Sequence, residues 1–157
     1  MAQTINLDTS QRVDIICKRG DTFELQLTLK DSAGNSIISL GEDGTGGGTG
    51  PNEDDSFKME VRTADYEDTA YGTGGDNNDG IILSTEDDGT GPKQIDVVMD
   101  SNADTTGTVK FFVDAATMAT VSSGIYVYDI EMTDVSESNK VTTLIYGTFK
   151  VNEDVSV

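Results

Sequence analysis

The chain has 157 residues, 29 of them acidic and 10 basic, for a net charge of −19. That length suits one domain with a real core. The charge leaves no basic footprint for duplex nucleic acid and sets the chain against an anionic membrane surface. The chain has no His and a single Cys, Cys17. The commonest general acid–base group, the commonest metal ligand and any internal disulfide are therefore all missing.

Residues 1 to 10 are polar and read as an N-terminal arm or an edge strand. They lack the basic start and apolar core of a signal peptide. No apolar run approaches the ~20 residues that span a bilayer. The expectation is a soluble protein made in a cytoplasm.

Gln11 to Lys18 predicts a first strand, with Val13, Ile15 and Cys17 on one face and Ile16 on the other. A lone Cys in that run reads as a buried structural thiol. Arg19-Gly20-Asp21, although it is the tripeptide that integrins read, predicts a turn leading into the next strand. Thr22 to Lys30 alternates without a fault: Phe23, Leu25, Leu27 and Leu29 point one way, and polar groups the other. Side chains on a strand switch faces at every residue, so this strand has one dry and one wet face. Asp31 to Asn35 is a turn cluster, and Asn35 to Leu40 a short strand.

Gly41 to Asp55 holds six Gly and five acids with almost no apolar group, too little to offset its ordering entropy. Ser56 to Thr63 alternates again, with Phe57, Met59 and Val61 in, and Lys58, Glu60 and Arg62 out. Ala64 to Asp79 is a second acidic, Gly-rich loop, which Tyr66 and Tyr71 would pin to the edge of the domain. Strands follow at 80–84, 94–100 (Ile95, Val97 and Met99 inward) and 108–113. The loops at Glu42-Asp43-Gly44-Thr45-Gly46 and Glu86-Asp87-Asp88-Gly89-Thr90-Gly91 share an acid-Gly-Thr-Gly core.

Asp114 to Val121 is the one helical segment, with Asp114 as N-cap. It is too short to stand alone, so Met118 and Val121 must dock on a sheet. Ile125 to Thr133 is a strand with Tyr126, Tyr128, Ile130 and Met132 on one face and Ile125 and Val127 on the other. A strand apolar on both faces is either central, with the short helix covering its back, or lies at a subunit contact. The covered reading is the one expected. Lys140 to Val151 is the last strand, and 152–157 a polar tail. The pattern predicts an all-β fold: an antiparallel, Ig-like β-sandwich over 11–151 with one short helix and long acidic Gly-rich loops. A closed barrel is the alternative.

Few residues invite chemistry. Asp76, Asn78 and Asp79 are the candidates for a loose Ca2+ site. As an EF-hand their loop fails, because Gly80 falls at position 5 instead of 6. Neither Gly-rich loop ends in the Lys-Ser/Thr of a phosphate loop, and neither opens a helix. Abundant acids make any pair uninformative as a glycosidase dyad, and the chain has no Trp to stack sugars. No enzyme is expected, no catalytic residue is assigned and no cofactor is required.

The run Lys18-Arg19-Gly20-Asp21-Thr22 with its strand, the hairpin Lys30-Asp31-Ser32-Ala33-Gly34-Asn35, and the strand Phe57 to Arg62 together resemble small β-sandwich virion proteins of tailed phages. The likeness is to the N-terminal module of upper baseplate proteins, which carry receptor-binding proteins. Ser123-Gly124-Ile125-Tyr126-Val127-Tyr128-Asp129 and the closing Gly147-Thr148-Phe149-Lys150-Val151 are similar to the way such modules end. The resemblance covers most of residues 11 to 155. The loops at 41–55 and 64–79 are longer and more acidic than the pattern needs, and no fibre-bearing region follows.

The resemblance implies a non-enzymatic virion protein: a decoration, cement or adaptor subunit docking on capsid, neck or tail proteins, with self-association as a homo-oligomer a further expectation. A calcium-assisted carbohydrate or cell-surface binding module is the alternative.

Overall fold

A computed structural model of the chain describes residues 1–6, 10–30, 33–34, 56–63, 80–85, 94–99, 108–134, 138 and 140–154. The predicted strand 35–40, both long acidic loops, Tyr66 and Tyr71 lie outside the described residues. The fold is all-β with one short helix, and its strands form two sheets.

The four-stranded sheet runs in the order β1 (Ala2–Asn6), β4 (Phe23–Lys30), β8 (Thr108–Val113), β7 (Asp96–Met99). The six-stranded sheet runs β2 (Gln11–Arg12), β10 (Lys140–Asn152), β9 (Gly124–Asp134), β5 (Ser56–Thr63), β6 (Ile81–Ser84). Here β3 (Ile15–Lys18) also pairs with β10. Of the two readings for the first residues, the edge strand is the one observed: β1 lies against β4, and Ile5 is fully buried.

The inner faces meet in one core. Leu25, Leu27 and Leu29 of β4 and Val109, Phe111 and Val113 of β8 lie against Tyr128, Ile130, Ile145 and Phe149 of the other sheet. The Phe23 and Phe149 rings meet edge-on at 5.1 Å, and Tyr128 meets Phe149 at 6.2 Å. Each large apolar side chain so buried contributes about 1.5–3 kcal/mol, which is why the alternation of β4 survives intact in the fold.

The pairing departs from the expected antiparallel arrangement. β1 with β4, β2 with β10 and β3 with β10 are parallel. Alternation reports which face a side chain takes, and both ladder types share that period. Direction is set by which distant segment fills an open sheet edge.

The predicted first strand is also interrupted, at Val13 and Asp14, although β2 and β3 keep one register on β10. The Val13 carbonyl presses on Gly147, where any Cβ would stand 2.3 Å from its oxygen. The Thr148 N–H, left without a ladder partner there, donates to Asp14 Oδ1 at 3.0 Å. A buried or half-buried N–H needs such a substitute acceptor.

In β10 the register shifts between Thr143 and Ile145 against β9. This bulge lets Leu144 and Ile145, adjacent in sequence, both face the core.

The helix α1 (Ala115–Thr120) forms as expected. Asp114 caps it by accepting the Thr117 N–H at 2.7 Å, and Met118 and Val121 are buried.

Arg19-Gly20-Asp21 is the expected turn. The Asp21 N–H donates to the Lys18 carbonyl, with Gly20 at φ +82°, the conformation a type II turn demands at that position. Arg19 Nε donates to the Ala119 carbonyl, which ties the turn to the helix end.

Candidate docking face

The outward side of the six-stranded sheet carries the groups that the core does not account for. Register places them abreast in rows, since directly paired residues on one face stand about 4.5–5.5 Å apart. One row is Ile16, Lys150, Ile125. The next is Asp14, Thr148, Val127, Arg62, with Asp14 placed by its bond to Thr148. The third is Arg12, Tyr146, Asp129, Glu60. The fourth is Thr143, Glu131, Lys58, and the last contains Val141 and Thr133.

Five large apolar side chains on these rows face solvent: Ile16 at 70%, Ile125 at 62%, Val141, Tyr146 and Val127. This corrects the expectation that the short helix covers the back of β9. The helix ends just before β9 begins, and Met118 and Val121 belong to the same buried core as Tyr126 and Tyr128 on the inner side. The outer side, with Ile125 and Val127, stays open.

Beside Val127 the face sinks into a groove of about 460 Å³, lined in part by Lys58, Glu60, Arg62, Asp129 and Glu131. Glu60 points outward, as its place in β5 predicts, yet is only 5% exposed. Its carboxylate receives Lys58 Nζ at 3.0 Å and also Arg62 Nη2. Burial alone would raise its pKa, but the hydrogen bonds from Arg62 and Lys58 outweigh that and hold it below the usual carboxylate value. Asp129, its partner across β5 and β9, shifts the other way. Burial raises its pKa, and the nearby Glu60 adds to this, against the pull of Arg62 and Lys58. The groove is thus a neutralised charge cluster with one reluctant anion.

The face differs in sign from the rest of the chain. By alternation and pairing, Arg12, Lys18, Lys58, Arg62 and Lys150 take the outward side, together with Asp14, Glu60, Asp129 and Glu131. Five cations against four anions is a marked reversal on a chain of net −19.

The other sequence candidates resolve less. Asp76, Asn78 and Asp79 lie outside the described residues. Among the described residues, no group of three or more His, Cys, Asp or Glu side chains is arranged to hold a metal ion. Nor is any helix among them long and apolar enough to cross a membrane. Cys17 is half-buried, with Sγ 3.5 Å from the Lys150 carbonyl oxygen. Burial, with a smaller push from Asp21, raises its thiol pKa to about 11, so it stays a protonated packing group.

The alternation of residues 57–62 places Lys58, Glu60 and Arg62 on one face. Their meeting with Asp129 and Glu131 is a matter of strand order, which no local pattern encodes. The outward position of Val141 likewise has no local signal, because it depends on the bulge at Leu144.

No protein-family model matches this chain, and no curated protein is significantly similar to it.

Proposed function

We propose that the chain is a non-enzymatic structural subunit of a tailed-virus particle. In this reading it is an Ig-like β-sandwich that acts as a decoration, cement or adaptor protein on capsid, neck or tail, and works by burying surface against its neighbours. The observation that carries the proposal is the outer face of the six-stranded sheet. It holds five exposed apolar side chains among near-balanced charges, the composition of a surface made to be covered. The resemblance of most of residues 11 to 155 to small phage virion modules supports the choice of assembly.

Mass spectrometry of purified particles tests it. The protein should be present in stoichiometric, many-copy amounts, and cryo-EM density should place it on the particle surface. Absence from particles would sink the proposal. A calcium-dependent signal on a glycan array would favour a binding module instead.

A further inference from the structure

We infer that the outer face of the six-stranded sheet is closed by the same face of a second copy of this chain, about a two-fold axis that runs along the strands between β9 and β10. The inference rests on the docking reading and names the partner. Such an axis reverses each cross-strand row against itself: β10 lies over β9, and β2 and β3 lie over β5. Isologous contacts of this kind require a self-complementary surface.

The rows meet that requirement. In the row Arg12, Tyr146, Asp129, Glu60 the cation is at one end and the acids at the other. Reversal sets Arg12 above the Glu60–Asp129 pair and the Tyr146 hydroxyl above the Asp129 carboxyl. In the row Asp14, Thr148, Val127, Arg62 the polarity is the opposite, and the same axis sets Asp14 against Arg62. The row Ile16, Lys150, Ile125 lays the aliphatic stem of Lys150 over Ile125. A single operation satisfies both charged rows although their signs run in opposite senses.

The alternative axis, across the strands, keeps each strand over its own copy. Through the row of Asp129 it would set Arg62 on the partner's Lys58 and Asp129 on its own counterpart; midway between that row and the row of Val127 it would match the charges but lay Val127 on the Asp129 carboxylate. Charge permits the contact: copies of net −19 repel, and a face with near-balanced charges adds little to that repulsion. Sheets packed face to face in this way cross at about 30°.

Sedimentation velocity on the full chain, up to about 200 µM to reach weak dissociation constants, tests the inference. Wild type should show a reversible monomer–dimer equilibrium. Ile125→Lys, at a position exposed in the single chain, should abolish the dimer without moving the thermal midpoint of dilute, monomeric protein, whereas Val98→Lys on the opposite sheet should leave the dimer unchanged.

Arg12→Glu and Asp129→Lys should each weaken the dimer about tenfold or more, the effect of a lost and inverted charge pair. An equimolar mixture of the two variants should form a heterodimer of near wild-type strength, because each charge again meets its opposite. A wild-type chain that stays monomeric overturns the inference, as does a dimer indifferent to Ile125→Lys, or a mixture that fails to recover while both variants are folded. A monomer abundant in particles would sink the dimer and leave the virion reading standing. A dimer absent from particles would do the reverse.

Discussion

The Tyr128 hydroxyl donates to the Val13 carbonyl oxygen at 2.6 Å, across 115 residues of sequence. It reaches that oxygen from β9, two strands away, over Gly147 of β10. The interruption between β2 and β3 is thus stitched to the sheet from the core side, and Asp14 secures it from the outer side.

Tyr128→Phe should cost about 1–2 kcal/mol of stability, the loss of one bond plus a part-buried carbonyl left without that donor. Urea unfolding monitored by circular dichroism would read it. A loss below a few tenths of a kcal/mol would mean that water replaces the phenol freely.

Gly147→Ala should be far worse. The new methyl meets backbone at 2.3 Å, so β2 must lift from β10 and give up the Tyr128 bond with it. The expected loss exceeds about 2 kcal/mol, as overpacking against an unyielding element does. Hydrogen exchange should show the damage first in residues 11–18. A wild-type melting curve would show that the Val13–Asp14 segment can move aside.

The pH dependence of the outer face follows from Asp129. Its folded pKa is raised above the ordinary 3.8 by burial and by Glu60. A raised carboxyl contributes stability that is full below its unfolded pKa and is lost as pH rises through its folded pKa. Asp129→Asn should therefore raise the melting temperature of dilute protein at pH 7 and change it little near pH 3. Glu60 is held low by Arg62 and Lys58, so its contribution is present above the ordinary value and lost as pH falls. Glu60→Gln should thus destabilise at pH 7 and converge with wild type in acid. Two variants that move together would refute the assignment of opposite shifts to this pair.

Cys17 should resist labelling. With its thiol pKa raised to about 11 and its sulfur half-buried, the thiolate fraction at pH 8 is roughly a thousandth. A disulfide-exchange reagent should react with the native chain at least tenfold more slowly than with the urea-unfolded chain. Equal rates would place Cys17 on an accessible surface.

Much of this architecture was legible from residue order alone. The four leucine and phenylalanine positions of β4, the inward sets of β5 and β9, the Asp114 cap and the Gly20 turn all follow from local rules. Alternation, capping and positive φ act within a few residues, so a short window contains the whole cause. The direction of pairing, the break at Val13 and the bulge at Leu144 are not local. Each depends on a partner strand many residues away, and parallel and antiparallel neighbours accept the same period-two pattern.

The candidate face divides along the same line. Sequence alone determined that Ile125 and Val127 share a side, that Lys58, Glu60 and Arg62 share another, and that the chain is strongly acidic. Only the tertiary structure decided that these are one side of one sheet, because strand order brought β5 against β9 and β9 against β10. It also decided that the helix turns into the core and leaves that side open. Periodicity assigns a residue to a face; what lies on the far side of that face is decided by packing between elements that the chain brings together from a distance.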